Sequence, residues 1–209
     1  RMVGGMIRRT VRQRFHTVFW KPPLGPLPEA PVIFCANHHG WHDGYLMFHL
    51  ITRLGYRSLD WIQEYHAFPL FRTVGGMPFP ADDPAVRAKT LRTTVRLMKE
   101  EKRSLVLFPE GVLHPPSDIL PLGKSLQWVS QKVPSAVILP VGIVYAMHEH
   151  ERPMAYLALG EPRPGPVEDL DGNNVTLLVR QVGVGGSIFE RSSGGCGLKQ
   201  GSLRRDGDR

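Results

Sequence analysis

The sequence predicts an α/β domain with a mostly parallel central sheet flanked by helices. Short apolar and β-branched segments alternate along the chain with longer segments of helical periodicity. Two of the most apolar segments are each followed directly by a polar loop. Because ligands in such sheets bind beyond the carboxyl ends of the strands, we expect both loops at one edge of the sheet, close together.

Residues 1–20 are predicted to form an amphipathic helix, in which apolar residues recur at helical spacing among arginines. Pro22 and Pro23 would end this N-terminal segment, which we assign to residues 1–21. Two interpretations remain open for the helix. It could anchor the protein on anionic lipid, or it could cover the core of the domain.

The elements that follow belong to one domain, assigned to residues 22–180. Apolar periodicity predicts strands at residues 31–36, 57–62, 104–108, 136–144 and 155–159, and helices at residues 45–54, 82–102 and 124–132. Residues 64–73 are predicted to be a short helix or loop, and residues 77–80 to be extended. Residues 181–209 are rich in Gly, Ser and Arg and are predicted to be a disordered or non-native tail.

Composition narrows the class of partner. The chain has 209 residues, a formal charge of +7 and two cysteines. The charge suits anionic lipid, a phosphorylated donor or nucleic acid, but no nucleic-acid motif is present, so nucleic acid is not expected. The absence of a disulfide framework favours a reducing compartment. No apolar run approaches the roughly 18 to 20 residues of a spanning helix, and no secretory signal is recognised.

The polar loop at residues 37–44 carries three histidines and a carboxylate directly after a predicted buried strand. Four residues separate His38 from Asp43. A tight loop entering a helix can bring these two side chains into hydrogen-bond reach. A carboxylate on one imidazole nitrogen fixes the tautomer and leaves the other nitrogen to act as a base near neutral pH.

Other interpretations of the loop remain open. The polar residues could simply cap the following helix. Alternatively, His38 and His42 have i,i+4 spacing, and with His39 or Asp43 they could bind a metal ion in a metal-dependent hydrolase. Further ligands would then be needed, and the candidates are His66, His114, His148 and His150. If no metal binds, His39 and His42 are expected to line the site.

Several ordered motifs resemble one family. The segment Asn37-His38-x4-Asp43 resembles the first motif of the glycerophospholipid acyltransferases of the lysophosphatidic acid acyltransferase type. The segment Phe108-Pro109-Glu110-Gly111 resembles the Phe-Pro-Glu-Gly motif of that family. Residues 120–124, 138–141 and 159–162 resemble its later blocks in order and spacing, so the resemblance extends over about residues 30–163.

The resemblance implies an O-acyltransferase without a cofactor, which moves a fatty acyl group from acyl-CoA or acyl carrier protein to the hydroxyl of a lysophospholipid or other lipid alcohol. It implies that His38 is the general base and that Asp43 orients it. The substrate-binding candidates are Asn37, Trp41, Glu110, Gly111 and Lys124. Candidates for an apolar acyl groove are Trp41, Phe48, Trp61, Phe68, Phe71 and Phe79. The expected location is cytoplasmic, peripheral at the inner face of a membrane.

The sequence lacks two positively charged residues that the family pattern usually contains. Residues 75–80 align with the second block, but the Arg that usually ends it is missing, and Val112-Leu113-His114 stands where Thr-Arg usually follows the Phe-Pro-Glu-Gly motif. Arg72, Arg87 and Lys124 are the candidates to replace these cations. The departures favour an acceptor with an uncharged hydroxyl over a phosphate-bearing one.

Overall fold

The computed structural model describes residues 2–23, 25–115, 120–147 and 149–166. The predicted tail, and residues 167–180 of the predicted domain, lie outside these described residues. The α-helices are α1 (Met2–Arg14), α2 (Asp43–Arg53), α3 (Pro84–Glu101) and α4 (Ser125–Lys132). The strands are β1 (Val18–Lys21), β2 (Val32–Ala36), β3 (Ser58–Ile62), β4 (Gly76–Pro78), β5 (Ser104–Leu107), β6 (Val137–Ala146), β7 (Met154–Leu159) and β8 (Arg163–Pro164).

The strands form one mixed sheet in the order β1-β7-β6-β2-β5-β3-β4, with β8 beside β6. Strand β6 pairs antiparallel with β7 and β8, whereas the other neighbours are parallel. Every residue of β2 is buried between β5 and β6. This arrangement confirms the predicted mostly parallel α/β fold, and it places the loops that follow β2 and β5 side by side.

The helices cover both faces of the sheet. Helices α1 and α2 pack with Phe34 of β2 in one apolar cluster, whereas residues of α3 and α4 pack with Ile33 and Cys35 in the other. Successive residues of β2 therefore point to opposite faces, as strand geometry requires. Helix α3 begins as predicted, because the Asp83 side chain accepts a hydrogen bond from the backbone N–H of Val86 at 2.9 Å.

The N-terminal prediction was wrong about the length of the helix. Helix α1 ends at Arg14, and residues 18–21 form β1, which pairs parallel with β7 at the edge of the sheet. Pairing with β7 overrides the helical periodicity that continues into this segment. The apolar residues Val3, Ile7 and Val11 of α1 are buried against the domain. Among the described residues, no helix is both long and apolar enough to cross a membrane.

The segment between β3 and β4 contains two short 3₁₀ helices, Tyr65–Ala67 and Pro69–Val74. Gly75 ends the second with a φ of 102°, and a Cβ atom there would lie 2.1 Å from the Ser58 carbonyl oxygen. Only glycine fits this position without strain. The segment lies against α1 and β4 and forms one wall of the cavity described below.

Candidate active site

The loops after β2 and β5 meet at the carboxyl edge of the sheet. The backbone N–H of His38 donates to Glu110 Oε1 at 2.9 Å, and the backbone N–H of His114 donates to the His38 carbonyl oxygen at 3.3 Å. These contacts follow from the parallel pairing of β2 with β5, in which Cys35 lies opposite Leu107. The two motif-bearing loops therefore lie together, as expected from their positions directly after two strands of a mostly parallel sheet.

His38 and Asp43 form a hydrogen-bonded pair, with 3.1 Å between His38 Nδ1 and Asp43 Oδ2. The same carboxylate oxygen accepts the backbone N–H groups of His39 and Gly40, each at 2.8 Å. The Tyr145 hydroxyl donates to the other oxygen, Oδ1. The Asp43 side chain is 1% exposed and that of His38 is 26% exposed, so the carboxylate is fixed inside the protein while the imidazole reaches solvent.

The His38 ring is held from its face as well as from its edge. It stacks on Phe108 with 4.3 Å between ring centroids and 24° between the ring planes. With Nδ1 directed at Asp43, the tautomer that carries its proton on Nδ1 leaves the Nε2 lone pair available. Since His38 borders the cavity, this arrangement can take a proton from a hydroxyl group bound there.

The spacing of His38 and Asp43 has a local structural cause. The backbone N–H of Asp43 donates to the Gly40 carbonyl oxygen at 3.0 Å, and α2 begins at Asp43 after this turn. The turn brings the carboxylate back over the N–H groups that precede it. A Cβ atom on Gly40 would lie 2.2 Å from the Tyr145 ring, so the absence of a side chain at Gly40 lets Tyr145 approach Asp43.

The Glu110 side chain forms hydrogen bonds that link the loop after β5 to the loop after β2. Its side chain has no exposure, and Oε2 accepts the backbone N–H of Leu120 at 2.8 Å and lies 2.6 Å from His114 Nε2. Oε1 accepts the His38 N–H. Gly111 follows with a φ of 74°, which favours glycine. Glu110 thus acts on the site through His38 and the loop, rather than by presenting a free carboxylate oxygen.

Asn37 is fully buried and connects β2 to β6. Its side-chain carbonyl accepts the N–H of Ile143 at 2.7 Å, and its amide donates to the Ile143 carbonyl oxygen at 2.9 Å. The amide nitrogen also lies 2.9 Å from His39 Nδ1. Asn37 is not among the described residues that line the cavity. The structure gives it contacts that position the loop.

A cavity of about 550 Å³ opens beside His38. All six aromatic residues proposed for the acyl groove line it, and Glu110 and Gly111 do so as well. Trp41 is 62% exposed. Lys124 is exposed at the start of α4 and lies outside the described lining, although its neighbours Gly123 and Ser125 belong to it.

The candidate replacements for the missing cations are also absent from the cavity. Neither Arg72, which is exposed, nor Arg87 is among the described residues that line it. His39 and His42, which were expected to line the site, are likewise not among those residues. His42 instead packs edge-on against Phe15, and burial, together with the positive charge of Arg14, lowers its pKa.

Two residues of the site were missed by sequence reasoning. Tyr145 lies one residue beyond the predicted strand. Asp60 lies within β3 and lines the cavity. Burial raises the pKa of its carboxyl group to about 7, although the His38 charge and a hydrogen bond from the Trp61 backbone N–H lower this pKa. A charged residue inside an apolar strand was the available signal for Asp60. Tyr145 carried no such signal.

The alternative metal cluster, His38 and His42 with His39 or Asp43, is not brought together as a ligand group among the described residues. His42 lies against Phe15, and Asp43 Oδ2 is occupied by three donors. Among the described residues a different group converges, namely His39, Glu110 and His114, with ligand atoms within 4.8 Å of one another. The Glu110 carboxylate in this group already accepts hydrogen bonds from both loops. Because Ile143 fixes the Asn37 amide so that it donates to His39 Nδ1, the proton of neutral His39 lies on Nε2, which does not suit a metal ligand.

Of the further ligands considered, His66 is exposed in the first 3₁₀ helix, and His150 stacks on His16 with 3.5 Å between ring centroids. His148 lies outside the described residues. Cys35 offers no nucleophile either, because burial, followed by the charge of Glu110, raises the pKa of its thiol to about 12. Among these candidates in the described residues, His38 paired with Asp43 has the geometry that suits general-base chemistry.

Comparisons with known proteins bear on the fold and the family of the chain. No curated protein matches the sequence significantly. The crystal structure of the 1-acyl-sn-glycerophosphate (LPA) acyltransferase PlsC from Thermotoga maritima is similar in fold, with a TM-score of 0.62 and 18% sequence identity, over 90% of this chain and 78% of that chain. The family model described as Acyltransferase matches residues 22–144. Since that match covers more than half of the chain and includes both loops of the site, the protein belongs to the Acyltransferase family.

Proposed function

We propose that this acyltransferase transfers a fatty acyl group from acyl-CoA or acyl carrier protein to the hydroxyl of a lysophospholipid or other lipid alcohol. The observation that carries the proposal is the His38–Asp43 pair, held by four donors to Asp43, at the opening of an aromatic-lined cavity. An imidazole that a carboxylate orients beside an aromatic-lined cavity suits deprotonation of a lipid hydroxyl.

In the proposed reaction, the acceptor hydroxyl gives its proton to His38 Nε2 as its oxygen attacks the thioester carbonyl carbon. Asp43 stabilises the imidazolium that forms. The carbon–sulfur bond then breaks, and the thiol leaves with the proton from His38. The N–H groups of His39 and Gly40 are directed at Asp43, so the tetrahedral oxyanion must find its donors elsewhere in the site. No covalent acyl-enzyme intermediate is needed.

A membrane is the proposed source of the acceptor, with the protein peripheral at its cytoplasmic face. Four residues that line the cavity are also exposed apolar side chains, and we call them the cavity rim: Trp41, Phe68, Val112 and Leu113. Apolar side chains that surround an opening can enter the headgroup region and let a lipid reach His38 without crossing water. Met2 and Met6 are exposed on α1 in addition to the rim.

The proposed reaction is tested by acyl transfer from radiolabelled palmitoyl-CoA to a crude lipid extract. The wild-type protein should make a labelled lipid, and His38→Ala should lower the rate about 10²–10⁴-fold because the base is lost. Asp43→Asn should also cause a large loss, because the wrong tautomer is favoured. A matched control is His66→Ala, which removes an exposed histidine outside the described cavity lining.

Near-wild-type turnover in His38→Ala would refute this mechanism. The rival metal-dependent reaction predicts loss of activity with a chelator, whereas the proposed acyl transfer should be unaffected. If neither a labelled lipid nor released CoA is formed, the assay is repeated with an acylated carrier protein as donor. Failure with both donors would reject the proposed reaction.

A further inference from the structure

Asp60 is an acidic residue that lines the cavity. Strand β3 directs Ser58, Asp60 and Ile62 to one side, and all three line the cavity. Asp60 lies opposite Val106 of β5 and Gly76 of β4, two further lining residues. Asp60 therefore lies among lining residues of three adjacent strands.

The carboxyl group of Asp60 lies close to the proposed base. A Cβ atom on Gly44, in the first turn of α2, would lie 3.4 Å from Asp60 Oδ2, and Gly44 follows Asp43 directly. The charge of His38 acts on Asp60 as well. An acceptor whose hydroxyl reaches His38 would thus bring its neighbouring atoms towards Asp60.

Apart from His38, the ionisable acidic and basic side chains of the described cavity lining are carboxyl groups. The described residues that line it include the carboxyl side chains of Asp60, Glu64 and Glu110, and they include no Lys or Arg. Both oxygens of Glu110 are occupied by groups of the two loops. At the described part of the lining, a phosphate group would meet acidic side chains and no Lys or Arg, whereas a hydroxyl group can donate a hydrogen bond to a carboxylate.

We propose that Asp60 is an acceptor-binding residue that receives a hydrogen bond from a second hydroxyl of an uncharged polyol-type lipid and disfavours acceptors that carry phosphate. This inference rests on the proposed acyl transfer, since His38 defines where the first hydroxyl lies. It adds that the acceptor head group carries two hydroxyl groups, one for His38 and one for Asp60. It also accounts for the absence of the two expected cations.

Binding of three matched probes tests the assignment: 1-O-hexadecylglycerol, its 3-phosphate, and hexadecanol. They share one alkyl chain and differ in carrying two hydroxyls, a phosphate, or one hydroxyl. Each is presented to the whole chain in the same detergent at about pH 8.5, where the Asp60 carboxyl group, with its pKa of about 7, is ionised. Binding is followed by intrinsic fluorescence, because Trp41 and Trp61 line the cavity. Wild type should bind the diol at least about 10-fold more tightly than hexadecanol, the order expected for a hydrogen bond to a charged group.

Two substitutions of Asp60 distinguish the effect of its hydrogen bond to the ligand from the effect of its negative charge. Asp60→Leu should remove the preference for the diol and leave hexadecanol binding intact, because it deletes the acceptor oxygens. Asp60→Asn should bind the phosphate probe about 10-fold more tightly than wild type, because the charge is lost while the shape remains. The control Asp82→Asn changes an exposed carboxylate outside the described lining and should alter none of the three affinities.

The assignment is overturned if wild type binds the phosphate probe more tightly than the diol, or if both Asp60 variants keep the wild-type order of affinities. Thermal unfolding checks that each variant is folded, and Asp60→Asn alone decides the question should Asp60→Leu not fold. Turnover of the same three alcohols is read separately. Acyl transfer without a dependence on Asp60 rejects the assignment only, whereas binding without transfer to any alcohol rejects the proposed reaction.

Discussion

At the scale of single residues, the position of Asp43 depends on a side chain that is distant in sequence. Tyr145 lies on β6 and donates to Asp43 Oδ1, while the two backbone N–H groups and His38 share Oδ2. Burial, followed by the negative charge of Asp43, raises the pKa of the Tyr145 hydroxyl, so it remains a donor over the working range. Tyr145 is a positioning residue, since it reaches the acceptor only through Asp43 and His38.

Tyr145→Phe should lower kcat about 10-fold and leave KM for both substrates unchanged. A hydrogen bond to a charged group is worth about 1.5–3 kcal/mol, and we expect part of this loss to appear as poorer orientation of His38 by Asp43. Steady-state kinetics with the acyl donor and a lipid alcohol provide the measurement. In the double variant with Asp43→Asn, the substitution of Tyr145 should have little further effect.

Tyr56→Phe is the matched control, because Tyr56 donates a hydrogen bond to the Pro28 carbonyl oxygen away from the site. It should lower the free energy of unfolding without changing kcat. Equal effects of the two substitutions on kcat would mean that Tyr145 contributes stability alone.

At the scale of elements, α1 presents two different surfaces. Val3, Ile7 and Val11 are buried on the domain, as the core-covering interpretation expects, whereas Met2 and Met6 are 79% and 46% exposed. The arginines predicted to meet lipid phosphates include Arg9 and Arg12, which are exposed. The helix can therefore pack on the core and still present a basic, apolar outer face to a membrane.

Co-sedimentation with anionic vesicles distinguishes the contributions of α1 and the cavity rim. Replacing Val112 and Leu113 by Ser should weaken binding about 10-fold or more, since each exposed apolar side chain contributes up to about 1–2 kcal/mol when buried in lipid. Met2→Ser with Met6→Ser should weaken it as well if α1 contacts the membrane. Leu27→Ser is the control, because Leu27 is exposed but does not line the cavity.

Binding should also fall with added salt, because the attraction of arginines to anionic lipid is screened. Vesicle binding that is unchanged in the Val112 and Leu113 variant would contradict a membrane-facing rim. Loss of binding only in the α1 variant would place the contact at the N-terminal helix instead.

At the scale of the whole molecule, the cavity makes stability depend on pH. The pKa of Asp60 is raised from 3.8 to about 7 by burial. A raised acid pKa stabilises the fold fully below pH 3.8, and this contribution is lost as the pH rises through about 7. The difference between the two values corresponds to at most about 4 kcal/mol, and the partial solvent exposure of Asp60 reduces it, so we expect about 1–2 kcal/mol.

Asp60→Asn should therefore gain stability relative to wild type between pH 4 and pH 8, as measured by urea unfolding at each pH. His49, whose pKa is lowered to about 4 chiefly by burial, has the opposite trend between about pH 4 and 6.5, but it is present in both proteins and cancels in the difference. Asp82→Asn, at an exposed site, should show no such gain. A difference that stays constant with pH would mean that Asp60 is hydrated like a surface carboxylate.

Much of the fold and of the reactive pair follows from local sequence. Alternating apolar segments predicted five of the strands and the helices α2, α3 and α4 to within a few residues, because strand and helix periods differ and Asp83 with Pro84 marks a helix start. The spacing of His38 and Asp43 predicted their contact, since a single tight turn closes it. The six aromatic residues that the sequence offers for the acyl groove all line the cavity.

What the sequence by itself determined is the mostly parallel α/β class and the position of each reactive loop directly after a strand, because strand and helix periods and the loops that follow them are visible within single segments. The tertiary structure alone decided that residues 18–21 form a strand, since β7 supplies the partner from residues 154–159. It alone brought Tyr145 to Asp43 across 102 positions of sequence. The tertiary structure also decided which charged side chains share the cavity with Asp60. Among the described residues, no Lys or Arg lines it. The sequence could not show this, because the cavity is enclosed by elements that are separate along the chain.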